Sequence, residues 1–259
     1  FIISVTIIAL FAFRSSLATK NYKLKIDGLE RSYRVHLPKG YDLSRKYPLV
    51  IVLHALGDNP MLIELNSGMS RKADKENFIV VYPKGTGMRL SWNAGFCCGY
   101  AYENKIDDIK FLRNVLSDVK NDFSVNDKKI FMAGFSNGGM MAYRIASEIE
   151  GIKKIAVVAG TLGSTKNKVN MPKTKIPLLI VHGKKDNIVP FEGGGEYSFL
   201  SAQESFDMWT GKDNKGNQSE IQAVDRGHIW FGGLQDYIFN LRIPKVSATN
   251  LIWDFFKED

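Results

Sequence analysis

Apolar residues fall along this chain in two kinds of run. Arg31 to Leu37 alternates apolar with polar positions, the period-two pattern of a strand with one face covered, and predicts a half-buried antiparallel edge strand. Leu49–Leu53, Phe78–Tyr82, Ile130–Ala133, Ile155–Ala159 and Leu178–Val181 are unbroken instead. Such runs predict strands of a parallel sheet covered on both faces. Ile221–Val224 is read as the last strand. Between them, Asp107 and Asp108 are placed to cap a helix whose Ile109, Leu112, Val115, Leu116 and Val119 fall on one face. A closing helix starts at Ser247, with Leu251, Ile252, Phe255 and Phe256 turned inward. Strands alternating with helices predict a three-layer α/β fold around a mostly parallel central sheet. The glycine run Gly193–Gly195 and the segment Gly232–Val246 read as loops that shape a cleft.

One strand leads into the most informative motif. Ile130–Ala133 is followed by Gly134-Phe135-Ser136-Asn137-Gly138, and then by the helix-like Gly139-Met140-Met141-Ala142. A serine hydroxyl is a poor nucleophile at neutral pH. Acyl-transfer enzymes therefore present it on a tight strand-to-helix turn, where a histidine takes its proton and backbone amides receive the oxyanion. A Gly/Ser-rich turn without chemistry is the bland alternative, and the flanking strand and helix weigh against it.

The chain has four histidines from which to draw the base. His36 and His54 precede the serine, and His182 closes a strand just ahead of a carboxylate. His228 lies in a loop after the last strand and before the closing helix. Asp186, in the loop His182–Pro190, is the acid best placed, with Asp225 as its rival beside His228. The order Ser136, Asp186, His228 is that of the α/β-hydrolase fold and of neither chymotrypsin nor subtilisin. In open α/β sheets ligands sit beyond the carboxyl ends of the strands, and all these residues follow strand ends. Trp92 and Trp230 lie in loops expected at the same rim, and their rings are candidates to stack on a substrate.

Four blocks carry a resemblance to a known family: Gly134–Tyr143, Ser91-Trp92-Asn93-Ala94-Gly95-Phe96-Cys97-Cys98-Gly99, His182–Pro190 and Gly227-His228-Ile229-Trp230. Together they resemble the secreted single-domain esterases grouped with polyhydroxybutyrate depolymerases and with feruloyl and acetyl-xylan esterases. The likeness runs from about Tyr33 to Phe256, and its Trp-Asn-x-Gly-x-Cys-Cys-Gly block is far more specific than the elbow. The resemblance implies hydrolysis of carboxylic esters without a cofactor or metal. It also implies an oxyanion hole formed by the backbone amides of Leu56 and Asn137. The family usually has His-Gly where this chain has His54-Ala55. If that position requires positive φ, alanine is disfavoured there and the hole is displaced.

Composition changes this picture little. The first thirteen residues, Phe1–Phe13, form an apolar run shorter than the roughly 20 residues of a membrane span, and Ser16-Leu17-Ala18 offers a cleavage site. Residues 1–18 are read as a signal peptide lacking its charged start, and 19–259 as one catalytic domain, secreted and not inserted in a membrane. The formal net charge of +8 is scattered rather than clustered, and no nucleic-acid motif accompanies it. The two cysteines, Cys97 and Cys98, are adjacent and have no other internal partner in an exported chain. A vicinal disulfide is favoured over two free thiols, although Cα atoms about 3.8 Å apart across a trans peptide lie closer than disulfides prefer. The chain is thus expected to hydrolyse polysaccharide-linked feruloyl or acetyl esters. A polyhydroxyalkanoate polyester is the alternative substrate, and a non-catalytic binding protein on a hydrolase scaffold is the rival class.

Overall fold

The computed structural model describes residues 19–166, 176–211, 218–240 and 246–258, so Phe1–Ala18, expected to be a signal peptide, lies outside the described residues. Eight strands form one sheet: β1 (Lys20–Ile26), β2 (Leu29–His36), β3 (Tyr47–Leu53), β4 (Ile79–Pro83), β5 (Val125–Phe135), β6 (Lys154–Val158), β7 (Leu178–Gly183) and β8 (Glu220–Val224). Their spatial order is β1-β2-β4-β3-β5-β6-β7-β8. β1, β2 and β4 pair antiparallel, and every pairing from β4 onward is parallel.

The unbroken apolar runs are the central strands, and their alternate residues feed opposite faces. Leu49, Ile51, Leu53, Met132, Ile155 and Val157 enter one buried cluster, while Val50, Val52, Phe131, Ala133, Ala156 and Val158 enter the other. The first face is covered by α4 (Asp108–Asp122) and α5 (Asn137–Glu148), which follow α1 (Pro60–Ser67), α2 (Met69–Glu76) and the short α3 (Tyr100–Glu103). Asp107 caps α4 as its spacing predicts, accepting from the Lys110 amide at 2.9 Å. Beyond α6 (Ala202–Thr210) and α7 (Leu234–Asn240), the closing α8 (Ala248–Lys257) covers the second face. Its Phe256 stacks on Phe131 with centroids 4.8 Å apart. Phe255 and Phe256 are both buried, and each contributes about 1.5–3 kcal/mol relative to leaving it in water.

Two expectations need correcting. β2 is not the sheet edge, because β1 pairs along its outer side. β1 escapes a reading based on apolar runs because its Tyr22, Leu24 and Ile26 alternate with exposed lysines and an asparagine. The segment from Gly232 contains the helix α7 rather than only loop, and residues 241–245 lie outside the described set.

Candidate active site

Leu56, Ser136, Asp186 and His228 follow β3, β5, β7 and β8, so one rim of the sheet gathers them. Ser136 joins β5 to α5 with φ 54° and ψ −121°, a conformation that costs a residue with a side chain about 1–3 kcal/mol. Packing holds it there. Its N–H donates to the Val158 carbonyl at 2.9 Å, and its carbonyl accepts from Met140 at 3.0 Å. A methyl placed on Gly138 would stand 2.4 Å from the Leu53 carbonyl oxygen, so only glycine lets the helix come this close to β3.

Asp186 sits in the turn after β7 with its side chain fully buried. Its Oδ1 accepts from the Ile188 and Val189 amides, each at 2.9 Å. Its Oδ2 accepts from His228 Nδ1 at 2.7 Å, and His182 Nε2 stands 3.4 Å from the same oxygen. Burial alone would raise the carboxyl's pKa; the hydrogen bonds from His182, His228 and the Val189 amide outweigh it and hold the group well below the usual carboxylate range. The strand end is built for this approach. A Cβ on Gly183 would lie 2.3 Å from the Arg226 carbonyl oxygen, inside the loop that delivers His228.

With Nδ1 bound to Asp186, the imidazole of His228 keeps Nε2 as the nitrogen that can accept a proton. Its ring stacks on Phe135, with centroids 5.1 Å apart, which sets it beside the residue preceding Ser136. His54 and His36 are engaged elsewhere, and His182 backs Asp186. His54 Nε2 accepts from the Gly85 amide at 2.9 Å while its Nδ1 donates to the Ala55 carbonyl at 2.7 Å, and burial pushes its pKa down to about 4. His36 pairs with Asp74 at 2.9 Å, and His182 Nε2 donates to the Val189 carbonyl at 2.8 Å. The rival acid Asp225 is exposed and pairs with Lys185 at 2.8 Å.

The amide of Asn137 opens α5 and has no intrahelical acceptor. Across the cleft, Leu56 follows the His54-Ala55 departure. Ala55 is not among the positive-φ residues, and the left-handed position falls instead on Gly57, with φ 78°. Alanine is therefore unstrained, and the anticipated displacement of the loop lacks a cause. Ala55→Gly is expected to leave kcat within about twofold and to cost stability only through unfolded-chain entropy, about 0.4–1 kcal/mol. Steady-state kinetics and a thermal melt check this; a kcat gain of tenfold would contradict it.

Neither tryptophan is a surface for substrate. Trp92 is fully buried, lies against His54 at 5.0 Å between centroids, and its indole N–H donates to the His54 carbonyl at 2.9 Å. Trp230 is equally buried and donates to Thr249 Oγ1 at 2.9 Å. Loop position was a poor guide because these loops turn their large rings into the core. The cysteines are bridged across a cis peptide, with Cα atoms 3.1 Å apart. Sequence reasoning missed two supports of the site. Phe135 carried no role within the elbow pentapeptide, and the second contact of Asp186, with His182, had no signal beyond the short spacing of the two residues.

A groove of about 560 Å³ lined by Arg113, Leu116, Lys120, Glu148 and Ile149 lies at the far end of α5. Twelve helical residues, about 18 Å, separate it from Ser136, and it is not part of this site.

The chain is similar to known proteins of one family. A family model described as phospholipase/carboxylesterase matches residues 43–202. The chain is 28% identical over 240 residues to a bifunctional acetylxylan esterase/xylanase of Neocallimastix patriciarum, covering 89% of this chain and 34% of that protein. It is 29% identical over 228 residues to feruloyl esterase B of Piromyces equi, covering 78% and 41%. The chain thus spans about a third to a half of the length of the curated relatives it matches first. Among solved structures, a poly(3-hydroxybutyrate) depolymerase from Bordetella parapertussis superposes with a TM-score of 0.62 at 15% identity, over 93% of this chain and 98% of that one.

Proposed function

The chain belongs to the phospholipase/carboxylesterase family and has the α/β-hydrolase fold; on that premise we propose that it is a serine esterase acting through Ser136, His228 and Asp186. The observation that carries this reading is the 2.7 Å bond from His228 to a buried Asp186, with the imidazole stacked on the residue next to a serine in the elbow conformation. In this mechanism His228 Nε2 takes the Ser136 proton as Oγ attacks the ester carbonyl. Asp186 stabilises the imidazolium, and the amides of Leu56 and Asn137 receive the oxyanion. The imidazolium then protonates the leaving alcohol. Water, deprotonated by the same histidine, releases the acid. None of these steps calls for a cofactor.

For substrate we propose feruloyl or acetyl esters on plant polysaccharide, supported by the relatives named acetylxylan and feruloyl esterases. The apolar run at residues 1–13 supports reading residues 1–18 as an export signal ahead of a catalytic domain, 19–259. Among the described residues no helix is long and apolar enough to cross a membrane. Methyl ferulate, acetylated xylan and a polyhydroxybutyrate suspension, assayed side by side, test the substrate class. Turnover of the polyester alone would replace it.

An aromatic acyl group needs a ring to meet, and we propose Tyr197 for that role in place of the buried tryptophans. It is 41% exposed and stacks on Phe199 at 5.4 Å. Phe199 packs in a cluster with the cystine, Met140 and Val189, whose amides bind Ser136 and Asp186 respectively. Losing one stacked pair costs about 0.5–1.5 kcal/mol. Tyr197→Ala should therefore raise KM for methyl ferulate about 2- to 12-fold. Turnover of p-nitrophenyl acetate should stay unchanged, and equal effects on both esters would remove the ring from substrate recognition.

A further inference from the structure

Asn137 does more than supply an amide. Its side chain is buried, and its Oδ1 accepts from the Trp92 N–H at 2.7 Å while its Nδ2 donates to the Trp92 carbonyl at 3.0 Å. Nδ2 also stands 3.7 Å from Cys98 Sγ. The carboxamide thus binds both backbone groups of a single residue on a different loop. That residue is tied in turn to the opposite side of the cleft through the indole N–H to the His54 carbonyl at 2.9 Å, and Leu90, two residues earlier on the same loop, accepts from the Gly57 amide at 2.9 Å. Its neighbour Asn93 is fixed to buried Asp108, at 2.8 Å from amide to carboxylate.

We propose that Asn137 is a positioning residue whose carboxamide clamps the Ser136–Asn137 peptide to Trp92, and that Trp92 is the common post setting the spacing of the two oxyanion donors. The proposal rests on the esterase reading above. The peptide that carries the Asn137 N–H follows a residue with φ 54°, a conformation that persists only where its surroundings over-determine it. On its helical side the Met140 amide holds the peptide's carbonyl within the helix, and the Asn137 side chain adds its tie to a different loop. On the other side of the cleft, Leu56 follows His54, whose carbonyl receives the indole bond. A donor preorganised in this way acts on charge that exists only in the transition state, so loosening it lowers kcat and leaves KM in place.

The test uses p-nitrophenyl acetate and an alkyl trifluoromethyl ketone. Ser136 Oγ adds to the ketone carbon, its proton passes to His228, and the former carbonyl oxygen becomes an oxyanion in the hole. Asn137→Ala is expected to lower kcat about 10- to 100-fold, less than deletion of a donor, with KM within about twofold. The inhibition constant of the ketone should rise by the same factor as kcat falls. Asn137→Asp adds a pH signature. A carboxylate buried here, against the Trp92 N–H, the Trp92 carbonyl and Cys98 Sγ, has a raised pKa from burial. Once protonated it offers the same donor and acceptor as the carboxamide, so the ratio of variant to wild-type kcat should climb as pH falls, a comparison that cancels the titration of His228.

A folded Asn137→Ala protein that keeps kcat and ketone affinity within twofold overturns the proposal, as does a loss of kcat without loss of ketone affinity. Should that variant not fold, a ratio for Asn137→Asp that stays flat with pH overturns it. A wild-type protein that fails to react with a fluorophosphonate overturns the esterase reading instead.

Discussion

Ser136→Ala is expected to lower ester hydrolysis by about 10⁴-fold or more, with the fold intact. That loss corresponds to about 5.5 kcal/mol of transition-state stabilisation. The prediction follows from what the side chain does not do. The elbow is held by backbone bonds from Ser136 to Val158 and Met140 and by the seat of Gly138 against β3, none of which needs the hydroxyl. Alanine must adopt the same positive φ, so a small loss of thermal stability is expected, and circular dichroism should be unchanged. Residual turnover measured on p-nitrophenyl acetate reports what the oxyanion amides and binding still supply. Near wild-type turnover by a folded variant would move the nucleophile elsewhere.

Asp186→Asn should cost about 10⁴-fold in kcat, the scale of an orienting carboxylate in a comparable triad. The bonds around it say why. Oδ1 is claimed by the Ile188 and Val189 amides, which keeps an acceptor at that corner and turns the new NH₂ group toward His228. Nδ1 must then accept, so the proton moves to Nε2 and the imidazole can no longer take one from Ser136. Asp225→Asn is the control. That carboxylate is exposed and engaged with Lys185, so kcat should stay within about twofold. The ratio of the two effects, from kinetics at one pH, decides between the two acids.

Much of this site was legible before any coordinates because its chemistry is local in sequence. The elbow needs glycines around a serine after an apolar strand, and the acid needs a turn leaving the next strand but one. Those constraints are written in Gly134–Gly138 and His182–Pro190. The central strands were equally plain, since burial on both faces leaves unbroken apolar runs.

What stayed hidden depends on where rings and amides point after folding. Trp92 and Trp230 look like rim aromatics by position, yet each finds a carbonyl or hydroxyl partner inside the core for its indole N–H. Tyr197, between Glu196 and Ser198, gave no signal as an exposed ring stacked on Phe199. The departure at Ala55 looked consequential because the sequence does not say which residue of His54–Gly57 turns left-handed; the structure puts that turn on Gly57. β1 carries too little apolar surface to announce itself, and it forms because β2 offers it a full antiparallel register.

The central claim is that Ser136 is a nucleophile activated by His228, and covalent trapping tests it most directly. The folded chain is treated with a fluorophosphonate and digested, and the modified peptide is sequenced by mass spectrometry. The account predicts a single adduct on Ser136, absent from Ser136→Ala and formed far more slowly in His228→Ala. No adduct on the wild-type chain, or one on another residue, would contradict it.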